Sequence, residues 1–224
     1  MTVTKTFLPI LILSLGLFAC VPTQEPTKPP KPPVESGVVG GETSFYPSAA
    51  GLTWQYIKES ESADAPKYKL EVLGPSLFHG RTLTAMRFVG NASDQTYFRD
   101  FSSSGVKLYG FSISQTGDVT FEPAIQEYPA SSELRLGATW GGETTVTEPN
   151  LADPTKPKSY KISYTYTVLA RQQFKVAEKV YDTFRIAYEV IASPSQRTTQ
   201  TIHFTPNVGE VRTKEGLLLL GKNF

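Results

Sequence analysis

The chain has 224 residues, 22 Lys+Arg against 21 Asp+Glu, and a formal net charge of +1. That balance, without a block of like charge, offers nothing to track nucleic-acid phosphates, so nucleic acid is not an expected partner. Cys20 is the one cysteine, which excludes a disulfide within the chain and leaves apolar burial to supply stability. Read from the start, Lys5 precedes an apolar run from Phe7 to Ala19 that leads directly into Cys20. The run contains Pro9 and is well short of the ~20 apolar residues that cross a bilayer as a helix.

Leu17-Phe18-Ala19-Cys20 resembles the lipobox of bacterial lipoproteins, with Leu at −3, a small residue at −1 and an obligatory cysteine. Phe18 is bulkier than the residue usual at −2. The resemblance implies a signal peptide over residues 1–19, cleavage after Ala19, and a Cys20 thiol carrying a diacylglyceryl group with acyl chains of the palmitate class. Such chains, at ~0.8 kcal/mol per buried methylene, make membrane attachment effectively permanent. Cleavage would remove Lys5 and leave 21 Lys+Arg against 21 Asp+Glu. Val21, rather than the Asp that marks inner-membrane retention in enteric bacteria, implies the outer membrane if the cell envelope is diderm.

Pro22, Pro26, Pro29, Pro30, Pro32 and Pro33 follow, with no aromatic among residues 21–36. Proline fixes φ and withholds an N–H, so this stretch reads as an extended, polyproline-II-like tether. At ~3.1 Å per residue it reaches on the order of 50 Å. The predicted organisation is a lipidated, Pro-rich tether over residues 20–44 and one folded domain over 45–224.

That domain reads as strand after strand. Tyr160, Ile162, Tyr164, Tyr166 and Val168 alternate with Lys161, Ser163, Thr165 and Thr167. Phe184, Ile186, Tyr188 and Val190 repeat the two-residue period, as do Leu70 with Val72 and Ile202 with Phe204. Further strands are predicted over 54–58, 82–89, 95–101, 106–113, 119–122, 143–147, 208–213 and 217–220. Gly74-Pro75, His79-Gly80, Gly90-Asn91, Gly117-Asp118 and Pro206-Asn207 punctuate them. Residues 172–182 are the best helical candidate and read equally as a strand with a turn. Strands this close together leave no room for helical crossovers, so the expected class is all-β. A mostly antiparallel meander should form a curved sheet, a sandwich or a partly closed barrel.

Gly51-Leu52-Thr53-Trp54 and Gly137-Ala138-Thr139-Trp140 share G-x-T-W and contain both tryptophans, which suggests two similar halves. The opening Tyr46-Pro47, Gly51, Trp54, Tyr56 is similar to Y-P-x-x-x-G-x-x-W-x-Y, the start of a group of poorly characterised bacterial envelope lipoproteins. The later Gly137 to Trp140, Thr183-Phe184 and Pro206-Asn207-Val208-Gly209 extend that resemblance over residues 46–220. It implies an all-β domain and supplies no activity.

Catalytic signals are sparse. Gly110-Phe111-Ser112-Ile113-Ser114 lacks the second glycine of a nucleophile elbow, and no phosphate loop or dinucleotide fingerprint is present. No cofactor is expected, since a redox copper site generally takes three or four His or soft ligands. His79 in a turn and His203 on the polar face of a strand read first as solvated or hydrogen-bonded side chains, with joint ligation of copper or another metal as the alternative. Eleven Tyr and thirteen Phe are a heavier load than a small core requires. Tyr160, Tyr164, Tyr166, Trp54 and Trp140 read either as side chains packed in a β core, the indoles as its anchors, or as a candidate interaction or ligand surface. Three functions remain open at this point: an accessory subunit of an envelope assembly with a protein partner; a carrier of lipid or another apolar ligand; and a copper-dependent oxidoreductase of superoxide dismutase type. Leu217 to Leu220 could complete the core or pair with a partner's sheet edge.

Overall fold

A computed structural model describes residues 45–61, 67–153, 155–193 and 195–224. Residues 1–44, where the signal peptide and tether are expected, lie outside the described residues. Twelve strands follow in chain order: β1 Thr53–Lys58, β2 Tyr68–Phe78, β3 Arg81–Gly90, β4 Ser93–Ser102, β5 Gly105–Ile113 and β6 Gly117–Tyr128. The second six are β7 Thr139–Glu148, β8 Lys158–Val176, β9 Lys179–Ser193, β10 Gln196–Thr205, β11 Gly209–Arg212 and β12 Leu217–Lys222. Each pairs antiparallel with the next, and β12 returns to β1, so the meander closes into a barrel. The 217–220 segment thus completes the protein's own sheet. Short turns enforce this topology. At His79-Gly80 both central residues have positive φ (46° and 77°), the conformation that matches strand twist in a two-residue hairpin.

Alternation fills the barrel. Trp54, Tyr56, Val72, Met86, Val106, Val168, Ile186, Phe204, Val211 and Leu219 are all essentially inaccessible and belong to one cluster. Phe45 and Tyr46 close one end: the Tyr46 ring lies 5.6–6.3 Å from the rings of Trp54, Phe101, Tyr128 and Phe204. Outward faces carry ion pairs instead, among them Lys69–Glu71, Arg87–Asp94, Arg171–Asp182 and Arg197–Glu189. A membrane-spanning barrel needs an apolar outer band ~25 Å tall. These faces are charged.

The two halves repeat one another in backbone detail. Gly51 and Gly137 both adopt positive φ (86° and 76°), which a side chain would strain. Gly51 N–H donates to Val72 O and Val72 N–H to Leu52 O. Gly137 N–H donates to Val168 O and Val168 N–H to Ala138 O. Immediately afterwards each strand bulges, at Leu73 in β2 and Leu169 in β8, and both leucines are pushed outward. Register then matches position for position: Gly74 faces Ala85 as Ala170 faces Arg185. Ala85 faces Phe98 as Arg185 faces His203, and Phe98 faces Gly110 as His203 faces Arg212. Each indole donates to a backbone carbonyl, Trp54 to Val208 O at 2.7 Å and Trp140 to Gln126 O at 3.2 Å. The barrel is a tandem of two six-strand units.

Candidate functional site

β8 and β9 form the longest hairpin. β8 pairs with β7 only as far as Thr167; beyond the Leu169 bulge, residues 170–176 pair with β9 alone. Freed from one neighbour, this arm coils until Phe174 stacks on His203 in β10, with ring centroids 3.9 Å apart. The 172–182 segment is therefore the end of a hairpin. Thr183, fully buried, donates its hydroxyl to Gln172 O at 3.0 Å. Having spent its one proton, that hydroxyl accepts from His203 Nδ1 at 3.3 Å, which places the ring proton on Nδ1.

In register, Arg185 of β9 flanks His203 on one side and Arg212 of β11 on the other. Arg212 Nη1 donates to Thr201 O at 2.7 Å. Arg185 Nε is buried with no hydrogen-bond partner. Among the described residues neither guanidinium has a carboxylate partner. These three side chains, with Leu169, Gln172, Phe174, Thr201 and Glu59, line an open groove of ≈ 480 Å³. A second groove of ≈ 410 Å³ lies by Phe45, Leu134, Phe184 and Pro206, beside the Arg171–Asp182 pair.

The predicted ligand residues are not brought together. His79 sits in the β2–β3 turn with Nε2 3.1 Å from Asp118 Oδ2, whereas His203 lies on β10 among Thr183, Phe174, Arg185 and Arg212. The two share no neighbour. Among the described residues no group of three or more His, Cys, Asp or Glu side chains converges on one point.

The aromatic residues divide. Trp54, Tyr164 and Tyr166 are buried inside the barrel. Tyr166 stacks between Trp140 and Tyr188, with centroids 5.4 and 4.5 Å away, and Tyr164 OH accepts from Gln126 N–H at 3.0 Å. The expected aromatic surface is thereby reduced to Tyr160, 40 % exposed, and the accessible edge of Trp140. Closure of the sheet is the reason: the face that would line an open concavity becomes the inside of a barrel.

A polar cluster inside the barrel went unforeseen. Arg99 of β4 makes a two-pronged pair with Glu127 of β6, at 2.6 and 3.2 Å, and Tyr128 OH donates to Glu210 at 2.7 Å. The signal was present: Tyr97, Arg99 and Phe101 alternate, which puts Arg99 on the aromatic face. Burial alone would raise the Glu127 carboxyl, but the Arg99 guanidinium outweighs it and holds it below its ordinary value.

Two titrations oppose each other. Burial, then the Arg212 and Arg185 charges, push His203 down to about 4 from 6.5. Its contribution to stability is therefore present above pH 6.5 and lost as pH falls through 4. Burial, then the Glu215 charge, push Glu210 up to about 7 from 4.5. Its contribution is present below pH 4.5 and lost as pH rises through 7. Urea unfolding across pH 4.5–6.5 should show Glu210→Gln becoming more stable with rising pH and His203→Gln less so. A Glu210→Gln profile that still falls with pH would contradict the assignment.

No protein-family model, no curated protein and no solved structure matches this chain.

Proposed function

We propose that this protein is a lipid-anchored accessory subunit of a cell-envelope assembly, at the outer membrane or a surface layer. Its role is presentation: acyl chains on Cys20 fix it, the Pro-rich tether sets its height, and the rigid barrel offers the contact surface. The observation that carries this reading is the filled interior. A carrier of lipid or another apolar ligand needs empty apolar space behind β8 and β9, and Tyr164, Tyr166, Val168, Ile186 and Tyr188 occupy that position themselves. A barrel packed with its own side chains has only its outside to offer. The β8–β9 arm, the longest hairpin, carries Val180 57 % exposed near its tip and is the contact element this reading assigns.

A photo-crosslinking amino acid at Val180 in the producing cell tests the contact. One defined envelope protein recovered across repeats is the expected result; crosslinks only to bulk protein would refute the arm as contact element. The anchor has its own prediction. Cys20→Ser should leave an unprocessed precursor without acyl mass, and membrane retention of a processed Cys20→Ser protein would overturn the lipid attachment.

A further inference from the structure

We propose that the groove between the β8–β9 arm and the outer face of β9–β11 is a binding site for a phosphate group, held by Arg185 and Arg212 on either side of His203. The inference stands apart from the accessory role and rests on the comparison of the two halves.

In the first half the equivalent place is closed and apolar. Phe78, at the end of β2, stacks on Phe98 at 4.1 Å, and Leu83 and Ala85 complete a small cluster on the outer side of the sheet. Gly110 belongs to the same patch: a Cβ added there would meet Phe78 at 2.9 Å. In the second half the backbone register is the same and Phe174 takes the place of Phe78. The other positions change in kind. Arg185 stands for Ala85, Thr183 for Leu83, His203 for Phe98 and Arg212 for Gly110. The first half demonstrates that this architecture is satisfied by small and apolar residues, so the fold does not require the charged set.

Nor do the charges satisfy one another. The exposed Arg87, Arg171 and Arg197 each hold a carboxylate. Arg185 and Arg212 hold none, and they are separated only by two strand spacings of ~4.8 Å each. Glu59 lines the far side of the groove without an ion pair to either. Arg185 Nε is a buried donor with no acceptor, an arrangement that typically costs more than an exposed one because its desolvation goes uncompensated. The Nε itself is shielded, so an oxyanion in the groove meets the rest of the guanidinium, whose charge no carboxylate among the described residues offsets. A guanidinium fork matches phosphate oxygens two at a time. Two forks facing one groove match the charge of about −1.5 to −2 on a phosphomonoester better than the single charge of a carboxylate. Neutral His203 adds no charge of its own, and Leu169 and Phe174 provide an apolar wall for whatever carries the phosphate. The carrier could be a lipid headgroup or a soluble phosphate.

The test uses the full chain purified in mild detergent. Inorganic phosphate and phosphatidic-acid vesicles are titrated separately, with phosphatidylcholine vesicles as blank, and binding is read by calorimetry and by ³¹P line broadening. Variants follow the first half: Arg185→Ala, which removes the unsatisfied donor, and Arg212→Gly; Arg87→Ala is the control. Saturable binding of either probe, weakened at least tenfold in Arg185→Ala and unchanged in Arg87→Ala, is the expected result. Preference for vesicles assigns a lipid source and preference for inorganic phosphate a soluble one. The melting temperature of each variant without phosphate guards against misfolding, and Arg185→Ala should melt no lower than wild type. No binding of either probe to wild type, or equal binding to wild type and Arg185→Ala, would overturn the site.

Discussion

Trp54→Ala should lower unfolding stability by about 3–5 kcal/mol in urea titration, the range for removing a large aromatic from a core. The indole is fully inaccessible, donates to Val208 O at 2.7 Å and packs on Tyr46 and Phe224 at 6.3 and 5.1 Å. It thereby ties β1 to the β10–β11 turn and to the segment that closes the barrel end. Gly209 sits where an added Cβ would come within 3.2 Å of the indole nitrogen, so the backbone there packs directly against this ring. Trp54→Phe should lose less, about 1–3 kcal/mol, mainly through the orphaned carbonyl. Trp140→Ala should lose less than Trp54→Ala, because Trp140 stacks flat on Tyr166 near the surface. Equal losses at the two tryptophans would contradict the unequal burial of the two halves.

Glu127→Gln should cost about 3–5 kcal/mol, because the Arg99 guanidinium would remain buried with its countercharge gone. The pair is almost wholly shielded, with side-chain exposures of 11 % and 9 %, and Arg99 also lies over the Tyr97 ring at 4.8 Å. Replacing both, as Arg99→Met with Glu127→Leu, should be near neutral or stabilising by about 1–4 kcal/mol, since the desolvation of two charges disappears with their attraction. The contrast between single and double variants separates a buried ion pair from ordinary packing. A double variant as unstable as the single would show that the pair organises the surrounding tyrosines.

Much of the architecture was legible in the alternation of residues. The strands around Tyr160–Val168, Phe184–Val190 and Ile202–Phe204 lie where the two-residue period put them, because a half-buried strand has no other way to segregate its side chains. The repeated G-x-T-W marked the start of each six-strand half, since both glycines are needed at positive φ before the strand begins. Closure was harder to read. Nothing local distinguishes a strand on a curved open sheet from one in a barrel, and closure decides between the two readings of Trp54, Tyr164 and Tyr166 in favour of the core. The paired arginines escaped for a related reason. Arg185 and Arg212 are ordinary outward residues in sequence, and only cross-strand register brings them to either side of His203. Arg99 was readable in principle, as a charge at an aromatic-face position, but its partner Glu127 is set by the pairing of β4 through β6 and by no sequence proximity.

Native mass spectrometry of the protein extracted from its own membranes in mild detergent tests the central claim most directly. The predicted spectrum shows a chain beginning at Cys20, carrying diacylglyceryl and acyl mass, in a stable complex with another envelope protein. A lone subunit with an unmodified Cys20, or one holding a stoichiometric apolar molecule within the domain, would contradict a lipid-anchored accessory barrel filled by its own side chains.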